Sequence, residues 1–538
     1  MKTVQYILKR LEELGVEHFF GHIGKYNLNI INEIESNPAI QWINCTNVQN
    51  SVFASDGYAR IKGFGAFVTS YGSQELNTLS AITGSMEENI PIICISGIQN
   101  SVKCDDNSIE IFKKIVPSYA LLTKDNAKLE IDRVLKTFVK ERKPVYIAVP
   151  ENLTDYELAD RDITYDWLSD DNVLEETVSN IIEKIKSSAK PSVLCGSLIK
   201  RFSSIVEYKE FVEKSAIPVL SLRSGINITN ADLPAYLGLY TSENEYIKLT
   251  DLCIVIGALQ KELNEIQNIK NQIIISGNYT VVDGKKYEIK MSELLNSLTK
   301  TIEFRRFEYN KTINELKPFK SSSEKISAES LCSRIQEYII GNDIIISDSI
   351  IMQKCFENLK LPSSTNVESY NDNNGWATPA GFGANIAKQN ARVIIITDSD
   401  SHIVSGMELG TIIKNGLKPI IIVIKKLLSE FDLPDVNFTK FARVFNGDIW
   451  STQVETSEDF DKALKVTQIM NKMCYIEVCM ECQDKIIQEK SFNETFVTET
   501  KDEKITNINL DKISLTSPIS GNKYETTVHK VYDTTEEI

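Results

Sequence analysis

Short β-branched runs alternate with segments of helical spacing along most of the chain. The runs are Ala66–Ser70, Ile92–Ser96, Val145–Val149, Ser192–Cys195, Leu252–Gly257, Gln272–Ser276, Asp343–Ser347, Arg392–Thr397, Pro419–Ile424 and Tyr475–Cys479. IICIS, VIIIT and IIIVI are apolar at nearly every position. A strand of that kind is covered on both faces, which predicts parallel sheets flanked by helices. Leu129–Lys140 and Ala328–Ile339 carry the intervening helical pattern. The fold class is therefore α/β, built from repeated strand–helix units. The first twenty residues hold Arg and Glu inside an apolar periodicity and predict an amphipathic helix, not an export signal.

Two polar stretches break the pattern: Leu153–Asn172, rich in Asp, and Arg305–Lys325, which ends in a serine cluster. They predict domains at 1–160, 175–305 and 325–485, followed by an extension at 486–538 whose Thr, Lys and Glu content matches a flexible tail. Within the tail, Tyr524–Tyr532 alternates as an extended strand does.

The chain has 538 residues, 42% of them hydrophobic, which fits a globular protein and excludes a disulfide scaffold or wholesale disorder. Its formal charge of −15 argues against nucleic-acid or anionic-membrane partners. No apolar stretch approaches the ~20 residues of a membrane span. The ten cysteines are scattered, as reduced thiols of a cytoplasmic protein would be. Cys479-Met480-Glu481-Cys482 is a lone CxxC without a second pair nearby, and reads as incidental thiols.

Several longer segments act together. They are FFGHIGKYNLNIINEI at 19–34, NCTNVQNSVFASDGYARIKG at 44–63, TSYGSQELNTLSAITGSMEENIPI at 69–92, NGWATPAGFGANIA at 374–387 and RVIIITDSDSHIVSGMEL at 392–409. The combination resembles the thiamine-diphosphate-dependent 2-oxo-acid decarboxylases, in their indolepyruvate and pyruvate decarboxylase branch, over roughly residues 1–485. The resemblance implies three α/β domains, with the cofactor held between the first domain of one subunit and the third of another, and hence a dimer or a dimer of dimers.

The chemistry that the resemblance implies needs groups this chain does not supply. The family's ring-binding glutamate falls at Val48, which can neither accept nor donate a proton. Glyoxylate carboligases in the wider family also resemble this chain in having valine there. The family's Gly-Asp-Tyr-Asn reads Gly24-Lys25-Tyr26-Asn27, so Lys25 reverses the charge. Its His-His pair falls at Ser101 and Val102, and none of His18, His22, His402 and His529 forms a pair. The metal-binding Gly-Asp-Gly reads Asp398-Ser399-Asp400, and the Asn-Asn that follows reads Lys425-Lys426. A later glutamate falls loosely at Asp432.

Three readings of Asp398, Asp400, Lys425 and Lys426 stand side by side. They form a relocated metal site, or the lysines replace Mg²⁺ as counter-charges for the diphosphate, or the four pair as a surface ion cluster worth little energetically. The last is preferred.

By contrast, Gly21, Gly24, Tyr26, Gly57, Arg60, Gly72, Glu75, Gly84, Gly375, Gly383 and Glu408 remain family-like. Loss concentrated at the chemistry implies a catalytically degenerate homologue with a structural, self-assembling or partner-subunit role, without bound cofactor or metal. The tail is expected to lie against another chain and to enlarge the assembly, as a filament if the contact does not close. The alternatives are a rebuilt decarboxylase or carboligase acting on pyruvate, phenylpyruvate or indolepyruvate with thiamine diphosphate and Mg²⁺, and a subunit that joins an active paralogue.

Overall fold

The computed structural model describes residues 1–480, except 104–105, 160–163, 166, 230–232, 310–315, 358, 363, 371, 373–374 and 427–434, together with 513–516 and 523–526. Residues 1–482 form one compact unit and 483–538 a second.

The first sheet contains β1 His18–Gly21, β2 Gln41–Asn44, β3 Gly65–Ser70, β4 Ile92–Ile98, β5 Tyr119–Leu121 and β6 Val145–Pro150. They lie in the order β2-β1-β3-β4-β6-β5, all parallel. The central sheet contains β7 Pro191–Cys195, β8 Val219–Ser221, β9 Tyr236–Leu239, β10 Leu252–Ile256, β11 Gln272–Ile275, β12 Thr280–Val282 and β13 Lys285–Tyr287. Its order is β13-β12-β11-β10-β7-β8-β9. The third sheet contains β14 Ile344–Ser347, β15 Asn366–Ser369, β16 Val393–Asp398, β17 Ile420–Lys426, β18 Ile449–Val454 and β19 Met473–Met480. Its order, β15-β14-β16-β17-β19-β18, again all parallel, repeats that of the first sheet strand for strand.

The apolar runs form the inner strands because helices cover both faces. β3, β4, β6, β7, β10, β14 and β16 are buried at every position. The sequence pattern does not mark the edge strands, whose residues are mixed or half-exposed; β2, for example, shows only Ile43 buried. The central sheet has seven strands, one more than the first or the third. The extra hairpin, β12 to β13, is antiparallel and turns at Asp283-Gly284, both at positive φ. Asp-Gly with two left-handed residues is the turn that matches strand twist.

The repeated topology brings two equivalent helices face to face. Val48–Lys62 precedes β3 and Ala377–Ala387 precedes β16. Each carries Ala-x-x-Gly at the crossing, Ala54 to Gly57 and Ala380 to Gly383. A Cβ on Gly57 would lie 1.9 Å from the Ala380 carbonyl oxygen, and one on Gly383 would lie 1.8 Å from that of Ala54. Only glycine permits this reciprocal approach, which joins the first and third sheets into one core.

Cys332 and Cys355 are joined as a disulfide between the Ala328–Tyr338 and Ile350–Phe356 helices, which corrects the expectation that all thiols are free. The two positions face each other across adjacent helices, with Cα atoms 5.4 Å apart, a proximity that spacing along the chain does not reveal. Cys479 is buried on β19, and Cys482 lies outside the described residues. In the second unit, β20 Ile513–Thr516 pairs antiparallel with β21 Lys523–Thr526, which takes up the start of the alternating stretch. No helix among the described residues is long and apolar enough to cross a membrane.

Candidate functional site

Ligands of parallel α/β sheets gather outside the carboxyl ends of the strands. At that edge of the third sheet the chain places Asp348 after β14, Asp398 at the end of β16, and Lys425-Lys426 at the end of β17. Asp398 is in register with Ile424, so both lysines project just beyond it. Successive strand residues point to opposite faces, and this divides the pair. Lys425 Nζ lies 2.5 Å from Asp435, 3.0 Å from the Val436 carbonyl and 3.8 Å from Glu477. Lys426 Nζ lies 3.5 Å from Asp398 Oδ2.

Asp398 is 4% exposed, so the surface ion cluster expected here is not what forms. Its Oδ2 accepts the Ile350 N–H at 3.4 Å, and its Oδ1 has no hydrogen-bond partner among the described residues. Burial raises its pKa against the pull of Lys426. Asp348 Oδ2 accepts from the Ala377 N–H at 2.9 Å and from Ser401 Oγ at 2.5 Å, while Oδ1 has no hydrogen-bond partner among the described residues. Burial, reinforced by Asp398, pushes this carboxyl up to about 7. Ser399 is half-buried and Asp400 exposed.

Mg²⁺ requires near-octahedral oxygen coordination. The edge offers a serine at 399 and the Lys426 ammonium at the positions that the resemblance gives to metal ligands. Among the described residues no group of three or more His, Cys, Asp or Glu is placed to hold an ion. With the Lys426 ammonium already 3.5 Å from Asp398 Oδ2, the residues present are a poor fit for a divalent metal. A diphosphate is another matter, because Lys426 presents a cation there.

At the first sheet, Val48 is the first residue of its helix and 5% exposed. Asn47 caps the helix by accepting the Asn50 N–H at 2.8 Å. Thr46 Oγ1 and Asn50 Nδ2 donate to Glu408 Oε2 at 2.6 and 2.8 Å. Glu408 thus ties the third sheet to the helix start on which Val48 sits. Lys25 is exposed, with Nζ 4.8 Å from the centre of the Tyr26 ring, and the Tyr26 hydroxyl raises its pKa. Ser101 is exposed, and Val102 packs partly buried on the shared core. Asp432 and His529 lie outside the described residues. His18 Nδ1 is 3.4 Å from the Tyr58 hydroxyl, and His22 Nδ1 is 3.0 Å from the Cys45 carbonyl oxygen. His402 is fully buried against Thr378, and burial lowers its pKa to about 3.

A second polar centre went unforeseen. Glu368, 4% exposed on β15, accepts from Arg60 Nη1 at 3.0 Å and from Arg201 Nη2 at 2.6 Å, and also contacts Lys200. Arg60 in turn donates to Asp56 at 2.7 Å and lies over the Trp376 ring at 4.7 Å. The cluster joins all three sheets. Lys200 and Arg201 continue into a cavity of about 220 Å³ with Ser197, Lys209 and Asn227. A carboxylate inside a strand was the signal available in the sequence; its partners stand 167 or more residues away.

Residues 1–115 match the model described as thiamine pyrophosphate enzyme, N-terminal TPP binding domain, and residues 178–295 match thiamine pyrophosphate enzyme, central domain. The chain is 25% identical to pyruvate decarboxylase 3 of Arabidopsis thaliana over 536 residues, covering 89% of this chain and 90% of that protein. It is 26% identical to pyruvate decarboxylase 1 of Pisum sativum over 534 residues, covering 88% and 89%. It is 25% identical to alpha-keto-acid decarboxylase of Mycobacterium leprae over 458 residues, covering 78% and 80%. These matches point to thiamine diphosphate and overturn the expectation of no cofactor. That expectation weighed the substituted positions alone, whereas the similarity extends across the fold that surrounds them.

Proposed function

The chain belongs to the thiamine-diphosphate-dependent 2-oxo-acid decarboxylase family, and within it we propose a protein that keeps the fold and the cofactor contact but does not decarboxylate, serving instead as a binding and assembly subunit. The observation that carries this is Val48. An aliphatic side chain is buried in the first turn of the helix, where the resemblance asks for a carboxylate. Glu408, which reaches this helix start from the third domain, accepts from Thr46 and Asn50 through Oε2. Lys25, exposed, and Ser101, exposed, bring no proton relay to that position. Thiamine diphosphate, when bound, supplies a ring that stabilises carbanions. This chain's contribution is to orient it through Lys426 and to hold the first and third sheets together.

In cells the subunit is proposed to form homo-oligomers in the cytoplasm. Segment 486–538 extends the assembly, to a filament where the contact does not close. An active paralogue is the other partner this role admits. Working boundaries for dissecting it are 1–160, 175–305 and 325–485.

The test is carbon dioxide release from pyruvate, phenylpyruvate and indolepyruvate, with thiamine diphosphate and Mg²⁺ supplied. Release at the buffer rate is expected, and turnover of any of the three overturns the proposal. A second reading, a rebuilt decarboxylase, is favoured by coverage of nine-tenths of the Arabidopsis enzyme's length. It predicts turnover that is lost in Lys426→Met.

A further inference from the structure

We infer that Lys426 is a built-in counter-ion: its ammonium takes the place of the divalent cation, so that this chain binds the diphosphate of its cofactor without metal. The inference rests on the cofactor part of the proposal above and names the group responsible.

The argument begins with β17. Alternation along the strand sends Lys425 and Lys426 to opposite faces, and only one of them is free for a ligand. Lys425 is consumed by Asp435, the Val436 carbonyl and Glu477. Among the described residues Lys426 pairs with Asp398 at 3.5 Å, beyond a good hydrogen bond. Its side chain is 24% exposed, so part of it is open to solvent. An ammonium at that distance from Asp398 occupies the place where a divalent ion would need oxygen donors. It also repels such an ion.

The two carboxylates behind it bear on the same point. Asp348 and Asp398 are each more than nine-tenths buried, and among the described residues each keeps one oxygen without a hydrogen-bond partner. Mg²⁺ is often held by one or two carboxylates, with water and phosphate oxygens completing its shell, but here the Lys426 ammonium already lies on one of the two acids. With Lys426 present, Asp398 acts as a resident anion on the ammonium. A diphosphate, carrying more charge and several acceptor oxygens, displaces it. Asp398 therefore competes with the ligand, and Lys426 attracts it.

The test is titration calorimetry on the full chain with thiamine diphosphate, and separately with inorganic pyrophosphate, in EDTA and in Mg²⁺. Affinity in EDTA is expected to lie within about threefold of that in Mg²⁺. Lys426→Met should weaken both ligands by at least about tenfold, the equivalent of one lost charge-assisted contact. Lys426→Arg should restore most of the loss. Lys425→Met should change affinity by less than about twofold, and Asp398→Asn should tighten binding. Binding seen only with Mg²⁺ overturns the inference and leaves the cofactor proposal intact. Binding in neither buffer overturns both. Unchanged affinity in Lys426→Met, with a wild-type melting curve, overturns the assignment to this residue.

Discussion

Glu368→Gln is the sharpest test of how the three sheets are held together. The substitution keeps the shape and one acceptor but removes the charge that faces Arg60, Lys200 and Arg201. Arg60 retains Asp56 at 2.7 Å, and Lys200 retains the Asn366 side chain. Arg201, 8% exposed, loses the one carboxylate it pairs with among the described residues, and its Nε has no partner already. Removing one member of a buried ion pair costs about 3–5 kcal/mol. Unfolding entropy of about 2.1 cal/mol/K per residue, over the 482 residues of the main unit, amounts to about 1 kcal/mol/K. The melting temperature should therefore fall by about 3–5 °C in scanning calorimetry at pH 7. Burial opposes ionisation of Glu368, but Arg201, Lys200 and Arg60 overcome it and hold its pKa well below the ordinary glutamate value of 4.5. With the folded pKa depressed, the contribution is complete above pH 4.5 and is lost as the pH falls through the folded value. The gap between wild type and variant should narrow in acid. A shift below about 1 °C at pH 7 would refute the reasoning, as would a gap that widens in acid.

Gly57→Ala must push the crossing helices apart by at least 3.0 − 1.9 = 1.1 Å, and about 1–3 kcal/mol of destabilisation is expected in urea titration; an unchanged midpoint would remove the crossing from the account. His402 is neutral in the fold, with a pKa of about 3 against 6.5 unfolded. Stability should therefore fall as the pH drops from 6.5 towards 3, by about 1.4 kcal/mol per unit from this group. His402→Gln should flatten that slope in acid-unfolding curves, and an unaltered slope would show that the ring takes up its proton without unfolding. Deletion after Gln488 should leave the 1–482 unit folded but reduce particle size in electron microscopy, so identical particles would dismiss the tail's role in assembly.

The inner strands were legible because full burial on two faces leaves a continuous apolar run, as in IIIVI. Edge strands such as β2 and β15 carry polar residues on an open side and lose that signature. Asp283-Gly284 did announce the β12–β13 hairpin, and turn chemistry would have found it where hydrophobic pattern could not. At the site, the resemblance set Asp398, Lys425 and Lys426 in one candidate cluster but could not separate Lys425 from Lys426, because which face each strand residue takes shows only in the fold. Asp348 had a signal, since IIISDS at 344–349 repeats the Ile-run-then-Asp of IIITDSDS at 394–401. The Glu368 centre had almost none, as ion pairs across three sheets leave no spacing to read.

The central claim is that this chain keeps the cofactor contact while lacking the groups that move protons. Deuterium exchange at C2 of thiamine diphosphate, followed by proton NMR with the bound fraction fixed by calorimetry, tests it most directly. The account predicts that the bound cofactor exchanges no faster than the free compound in the same buffer. Exchange accelerated by a hundredfold or more, and unaffected by added 2-oxo acid, would contradict it, because some group near Val48 would then be doing the work of the missing carboxylate.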